Sequence, residues 1–302
     1  MLNQSKNVRL KNRYMGLNRD YHDIRDLKYS SQQNSSINIK DSVDLTVLSN
    51  DVYDQSELNS STSFAVCSLL EFLRQQSGLR PIKLSELFTY YISRKTEGTI
   101  KYDSGSSIRA AIKATIRYGC APESMWPYEP ANFRSKIPRM VWRKAKNEIS
   151  FKYLRLDNYL SNDIYSCLSE GFPFSFGMSI YSSFRPDEQG IIPIPSPRRD
   201  SLLGYHCLTC VGYTSKDIDD GLFIVKNSWG RGWGNKGFCL IPAKMLIDNS
   251  NAFDFWTVRP SSEFMVMDNN IDNNSTYLDN DNDEEYNEDD NEDNDEEIND
   301  DI

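Results

Sequence analysis

The apolar positions change period part-way along the chain. From Ser60 the residues Phe64, Val66, Cys67, Leu69, Leu70 and Leu73 recur at three- and four-residue spacing, which predicts a helix capped by Ser60 or Ser61. Ile82 to Tyr91 predicts a second helix, with Leu84, Leu87, Phe88 and Tyr91 on one face. Ser106 or Ser107 can cap a third that runs through Ile116 and stops at Gly119 and Pro122. Beyond these, strand signals take over. Tyr153–Tyr159 and the apolar run in GFPFSFGMSIYSSF predict strands, with a short helix from Asp163 to Ser169 between them, ending at Gly171. Leu208–Tyr213 and Leu222–Val225 are short β-rich runs bounded by Gly and Asp, and predict a hairpin. Helices followed by strands imply an α+β fold.

The side chains with reactive character gather around the hairpin. His206, one of two histidines in the chain, precedes the first run, and Asn227 follows the second, so pairing the strands brings imidazole and amide together at the strand ends. Trp229 and Trp233 alternate with Gly230, Gly232 and Gly234, which predicts an aromatic cover on a tight backbone that glycine permits. Keeping water from an Asn–His contact strengthens that hydrogen bond.

This stretch resembles the papain-like cysteine peptidases, whose GxHxxxxVGY and KNSWGxxWGxxGF patterns match GYHCLTCVGY and KNSWGRGWGNKGF here. The resemblance implies that His206 is the catalytic base and Asn227 its orienting partner. It covers about residues 41–259, with an LS-x-LF-x-YY helix, a proline-punctuated approach to His206 and a closing DFWT strand over Asp254–Val258, and NRDYHDIRDLKYS ahead of it resembles the short RD-containing segment that precedes the domain in bacterial-type members. It implies a papain-like two-lobed fold, a helical lobe plus an antiparallel β-barrel-like lobe, with a cleft between. It also implies a cysteine at the start of the first helix. There the family has an Asp/Asn-Gln pair, then Gly, then Gly-Ser-Cys; this chain has Asp54, Gln55, Asn59, Ser60 and Ser61. Gln55 matches the oxyanion-hole glutamine, and Ser61 stands where the nucleophilic cysteine is expected. Gly105 and Ser106 match the cleft wall that pairs with substrate backbone, and Trp229 completes the expected substrate-binding set.

Oxygen is not a small change from sulfur. A thiol at a helix N-terminus beside an imidazole ionises readily: in papain its pKa falls to about 3–4, against about 8.5 for free cysteine. An alcohol starts far less acidic and must pass its proton to histidine during attack. The leading expectation is therefore a peptidase-family protein that keeps a peptide-binding cleft without thiol-protease activity. Two alternatives stay open: a working peptidase with Ser61 as nucleophile, or an ordinary thiol peptidase in which Ser61 is an engineered change. Cys67 lies six residues on, over a helical turn away, and is expected in the core.

Composition refines this picture. The 302 residues carry a net charge of −10, but the 18 acidic residues from Ser261 onward are unaccompanied by Lys or Arg, so the remainder is basic. The expected organisation is a polar N-terminal extension at 1–40, the peptidase domain at 41–259 and an acidic disordered tail at 260–302. The extension contains His22, expected to be solvated, and is too short for the long inhibitory pro-region of lysosomal relatives. No stretch approaches about 18 apolar residues, and no apolar signal segment opens the chain, so a cytoplasmic protein with six free thiols is expected. Cys207 and Cys210, three apart on a strand, should face opposite ways, which argues against a metal site. The run with Arg134, Lys136, Arg139, Arg143, Lys144 and Lys146 lacks interleaved aromatics and is read as a solvated basic face. The expected ligand is a peptide or protein segment in the cleft of a monomer, with no nucleic acid, membrane, metal or cofactor.

Overall fold

The computed structural model describes residues 15–30, 37–49, 51–146, 151–196, 198–247 and 251–261. The expected acidic tail beyond Ser261 lies outside these residues. In chain order the elements are β1 (Val43–Asp44), α1 (Ser61–Gln76), α2 (Glu86–Thr96), α3 (Ile108–Tyr118), α4 (Arg139–Ala145) and β2 (Phe151–Leu156). Then follow α5 (Ser161–Ser169), β3 (Phe174–Tyr181), β4 (Leu202–Tyr213), β5 (Leu222–Lys226), β6 (Phe238–Pro242), α6 (Ala243–Ile247) and β7 (Ala252–Pro260). Helices thus fill one lobe and antiparallel strands the other. The sheet runs β2-β7-β3-β4-β5-β6, with β1 added on β4, and it is open at β2 and β6.

The helix starts follow their caps. Ser85 caps α2 by accepting Phe88 N–H at 3.0 Å, and Ser107 caps α3 by accepting Ala110 N–H at 3.2 Å. The second helix therefore begins at Glu86 and not at Ile82, because the Ser85 cap fixes the first turn and Leu84 is already paired with Pro122 in a β-bridge. Ser60 is the N-cap residue of α1, but its hydroxyl meets Tyr128 Oη at 2.7 Å and makes no cap bond. The predicted strand at Tyr153–Tyr159 sits earlier, at Phe151–Leu156, where β7 offers a partner for each residue from Pro260 back to Phe255.

α1 is the central helix. It is buried on almost every face, Ser61 to Leu70 included apart from Ser68, because it lies between the sheet and the other helices. One hydrophobic cluster fills the seam between α1, α3 and the sheet and contains Cys67, Cys120 and Cys207. Another lies on the far side of the sheet, against α5, and contains Cys210, Phe174, Phe176 and Phe255. Cys207 and Cys210 thus face opposite cores, and both are free, buried thiols. α2 carries a buried cation whose charge is met by carbonyl dipoles: the Arg94 guanidinium donates to Ile100 O at 2.8 Å, Tyr102 O at 3.0 Å and Phe133 O. Among the described residues no helix is long and apolar enough to cross a membrane.

Phe176 is fully buried and stacks on Phe255 with centroids 5.3 Å apart, at the middle of the sheet's far core. Phe176→Ala is expected to cost about 3–5 kcal/mol of stability, measured as a lower denaturation midpoint with an unchanged slope.

Candidate active site

Strand register assembles the first half of the site. β4 and β5 pair Thr209 with Lys226 and Cys210 with Val225, so the next position places Asn227 opposite Leu208. His206 is two residues from Leu208 and shares its face. The outcome is a buried hydrogen bond of 2.8 Å between His206 Nε2 and Asn227 Oδ1. The same oxygen accepts Ser228 N–H at 2.7 Å, so the amide is fixed with its oxygen towards the ring. In the neutral ring, donation through Nε2 leaves Nδ1 as the accepting nitrogen that a base requires. Trp229 lies 4.7 Å from the imidazole, centroid to centroid, with Trp233 and Phe184 edge-on behind it. His206 is 0% and Trp229 1% exposed, so this indole shields the imidazole from water.

The second half comes from the helical lobe. Ser61 opens α1, where the unpaired N–H groups and the helix dipole favour negative charge. Its hydroxyl accepts the Cys207 N–H at 3.2 Å and donates to the Met15 carbonyl. The backbone of the residue after His206 thereby abuts Ser61 across the lobe seam. Gln55 is buried and ties the two halves together: its N–H donates to Ser228 O at 2.9 Å, its Oε1 accepts the Ser228 hydroxyl at 2.6 Å, and its Nε2 donates to Leu58 O at 2.8 Å. Ser61, Gln55, His206, Asn227 and Trp229 therefore converge on one place.

The cleft in front of Ser61 is filled by the chain's own amino-terminal strap. Gly16 bridges His206, and Leu17 bridges Ser106. Ser106 N–H donates to Gly16 O at 3.0 Å, Asn18 N–H to Ser106 O at 3.1 Å, and Leu17 N–H to Tyr205 O at 3.2 Å. Gly105 and Ser106 thus wall the cleft, with Ser106 pairing to peptide backbone and Gly105 lying flat against Gly16, where a side chain on Gly105 would overlap the Gly16 carbonyl. The reading of residues 1–40 as polar extension misses this, because a strap of so few residues has too little pattern to betray where it binds. His22 is exposed, as expected.

The Arg-Asp pair that follows clamps the strap. Asp20 N–H donates to Asp254 Oδ2 at 2.8 Å, and the Asp20 carboxylate accepts Trp256 Nε1–H at 2.7 Å and Arg109 N–H at 3.2 Å. Asp254 in turn pairs with Arg155 at 2.7 Å, Arg109 pairs with Asp26, and Arg19 covers the Phe253 ring at 3.9 Å. Burial first, and then the neighbouring Asp254 charge, push the Asp20 carboxyl up to about 6 from its ordinary 3.8; burial also raises Asp254. A further buried group sits behind the site. Lys226, next to Asn227, shares a small cavity with Glu71 and Glu86; burial lowers the lysine and lifts Glu86 to about 8. Among the described residues no cluster of His, Cys, Asp and Glu is placed to hold a metal ion.

Known proteins resemble this chain in sequence and fold. The profile described as "Papain family cysteine protease" matches residues 37–252. The chain belongs to the papain family. It is similar to an uncharacterised peptidase C1-like protein of Acanthamoeba polyphaga mimivirus, 34% identical over 232 residues, 73% of each chain. Among solved structures it is similar to xylellain, a cysteine protease from Xylella fastidiosa, at 32% identity and a TM-score of 0.75, covering 84% of this chain and 98% of that one. Digestive procathepsin L 3 of Tenebrio molitor larval midgut, at 23% identity and a TM-score of 0.61 over 83% of this chain and 76% of that one, shares the fold.

The clamp makes the strap's hold depend on pH. Asp20 binds its proton more tightly seated than released, so protonation favours the seated strap: the contribution is full below about pH 4 and is lost as pH rises through about 6. Hydrogen exchange at Leu17 and Asn18, corrected for intrinsic rates, should accelerate between about pH 5 and 7, and Asp20→Asn should flatten that dependence.

Proposed function

We propose that this papain-family protein retains a peptide-binding cleft and has lost thiol-protease turnover, because Ser61 stands where the family's nucleophilic cysteine is expected. The observation that carries this reading is the position of the Ser61 hydroxyl, which sits at the start of α1 against Cys207 N–H and donates a hydrogen bond to a peptide carbonyl lying in the cleft. A thiolate in that place would be the resting nucleophile, held by the helix N-terminus and an imidazolium. A hydroxyl stays protonated and acts as a donor. The ligand is a peptide or a protein segment lying along Ser106, bound by one copy of the chain.

The intact His206–Asn227 pair favours a second reading, peptide-bond hydrolysis by Ser61 itself. His206 would take the Ser61 proton through Nδ1, Asn227 would hold the ring, and the second N–H of Gln55 Nε2 would meet the developing oxyanion. With the strap seated this reading is blocked: attack by serine needs a base aligned on the hydroxyl proton, whereas Ser61 here donates to Met15 O.

Full-length protein carrying Gly16→Ala, which unseats the strap, is the form to assay at neutral pH against a general fluorogenic peptide. No turnover is expected with Ser61. In the same background Ser61→Cys should introduce turnover that His206→Ala removes by at least about 10²-fold. Turnover by the Ser61 form, abolished by His206→Ala, would establish the second reading and sink the first.

A further inference from the structure

The strap is a peptide seated in the cleft, and the atoms that hold it define what the cleft selects. Three consecutive residues, Met15, Gly16 and Leu17, make the contacts. Met15 is 8% exposed, with its sulfur close to the Gly204 backbone, and its N–H donates to Asn59 Oδ1 at 3.2 Å. Gly16 adopts φ +69° and lies between Asn59 and Gly105, so a Cβ there would overlap the Asn59 carbonyl. Any side chain at this place is excluded twice, by conformation and by space. Leu17 is 5% exposed and fills a pocket that exists because residue 177 has no side chain: a Cβ at Gly177 would stand 2.5 Å from Leu17 Cδ2 and from the Phe253 ring.

Asn59 is held in place to accept this amide. Its own N–H and its side-chain Nδ2 donate to the Asp103 carboxylate at 3.0 and 3.1 Å, and Nδ2 also donates to Asp103 O at 3.0 Å. Tyr90 Oη donates to Asp103 and accepts Gly105 N–H at 3.1 Å. With its amide nitrogen occupied, Asn59 presents its oxygen to the peptide. The bulk that Asn59 brings to the cleft is therefore a binding group.

We propose that the cleft of this protein selects peptides with an apolar residue, then glycine, then a branched aliphatic residue, with Asn59 and Gly177 as its determinants and the Met15–Leu17 segment as its resident ligand. The peptide runs parallel to the Ser106 backbone and turns a carbonyl oxygen, not a carbon, to the Ser61 hydroxyl. A segment in this register is retained and not cut. The inference rests on the peptide-binding reading above and is independent of turnover.

Fluorescence anisotropy tests it with a fluorescein-labelled peptide of the sequence RYMGLNRD, residues 13–20, titrated with full-length Gly16→Ala protein, whose own strap no longer fits. Saturable binding is expected. A peptide with alanine for its glycine should bind at least about tenfold more weakly, and Asn59→Ala protein should lose about tenfold for the parent peptide, each the equivalent of one hydrogen-bonded or packed contact. Gly177→Ala, whose methyl the Phe253 ring must also accommodate, should weaken the parent peptide at least about tenfold more than one with alanine in place of leucine, and an unchanged denaturation midpoint would report an intact fold. In the unsubstituted chain the peptide competes with the tethered strap at an effective concentration in the millimolar range and should bind more weakly. Equal binding of the parent, the glycine-to-alanine and a scrambled peptide would overturn the selectivity while leaving the cleft a peptide site. No binding of any peptide would overturn the peptide-binding reading itself.

Discussion

The seam between α1 and β4 governs where every other part of the site can lie. A helix whose first turn is wholly buried must satisfy that turn inside the protein, and α1 does so against the strand that carries His206. The Cys207 N–H finds its acceptor in Ser61 Oγ, in a region with no access to water. An unmet donor there would cost about 1–3 kcal/mol. The same hydrogen bond holds the helix start at a fixed distance from the imidazole. Tyr53–Gln55 pairing with Ser228–Gly230 closes the seam from the other end, so that the loop bearing Asn227 and Trp229 cannot drift from α1.

Against this rigid frame the strap is held by weaker, separable forces. Its backbone bonds with Ser106 and Tyr205 are those any extended peptide could make, and they carry little sequence preference. The side chains add a fit of shape: Gly16 has no room for a Cβ, and Leu17 fills the space beside Gly177. The electrostatic clamp behind them works differently. The half-buried Asp20 and the buried Asp254 lie side by side, tolerated because Arg109 and Arg155 lie on the same patch and Trp256 donates a hydrogen bond. Burial and the like charge on Asp254 raise the proton affinity of Asp20, and for that reason the clamp couples to proton binding.

How far a feature is legible in the sequence differs from element to element. His206 and Asn227 are 21 residues apart on one hairpin, and the alternation of a strand is enough to place them on one face. Apolar spacing locates the start of α1 at Ser60 or Ser61, and only the resemblance of Asp54, Gln55 and Asn59–Ser61 to the family's motif singles out Ser61. Spacing alone sets the α2 start four residues early, since Ile82 and Leu84 fit a helical face while the Ser85 cap and the Pro122 bridge override it. It also shifts β2 downstream, because that strand alternates weakly and its partner, β7, lies about a hundred residues further along the chain.

Local periodicity gives the helices, the hairpin that joins His206 to Asn227, and the opposed burial of Cys207 and Cys210; the two lobes and the places of Ser61 and Gln55 follow only from the resemblance to the papain-like peptidases. Packing in three dimensions was needed to show that Met15–Asn18 occupies the cleft, that Asn59 is a peptide acceptor, and that Asp20 meets Asp254 across 234 residues of chain. Contacts of that kind are set by which surfaces remain uncovered after the lobes have packed. No periodicity of the strap records that, because the strap takes its conformation from its neighbours and has none of its own to announce.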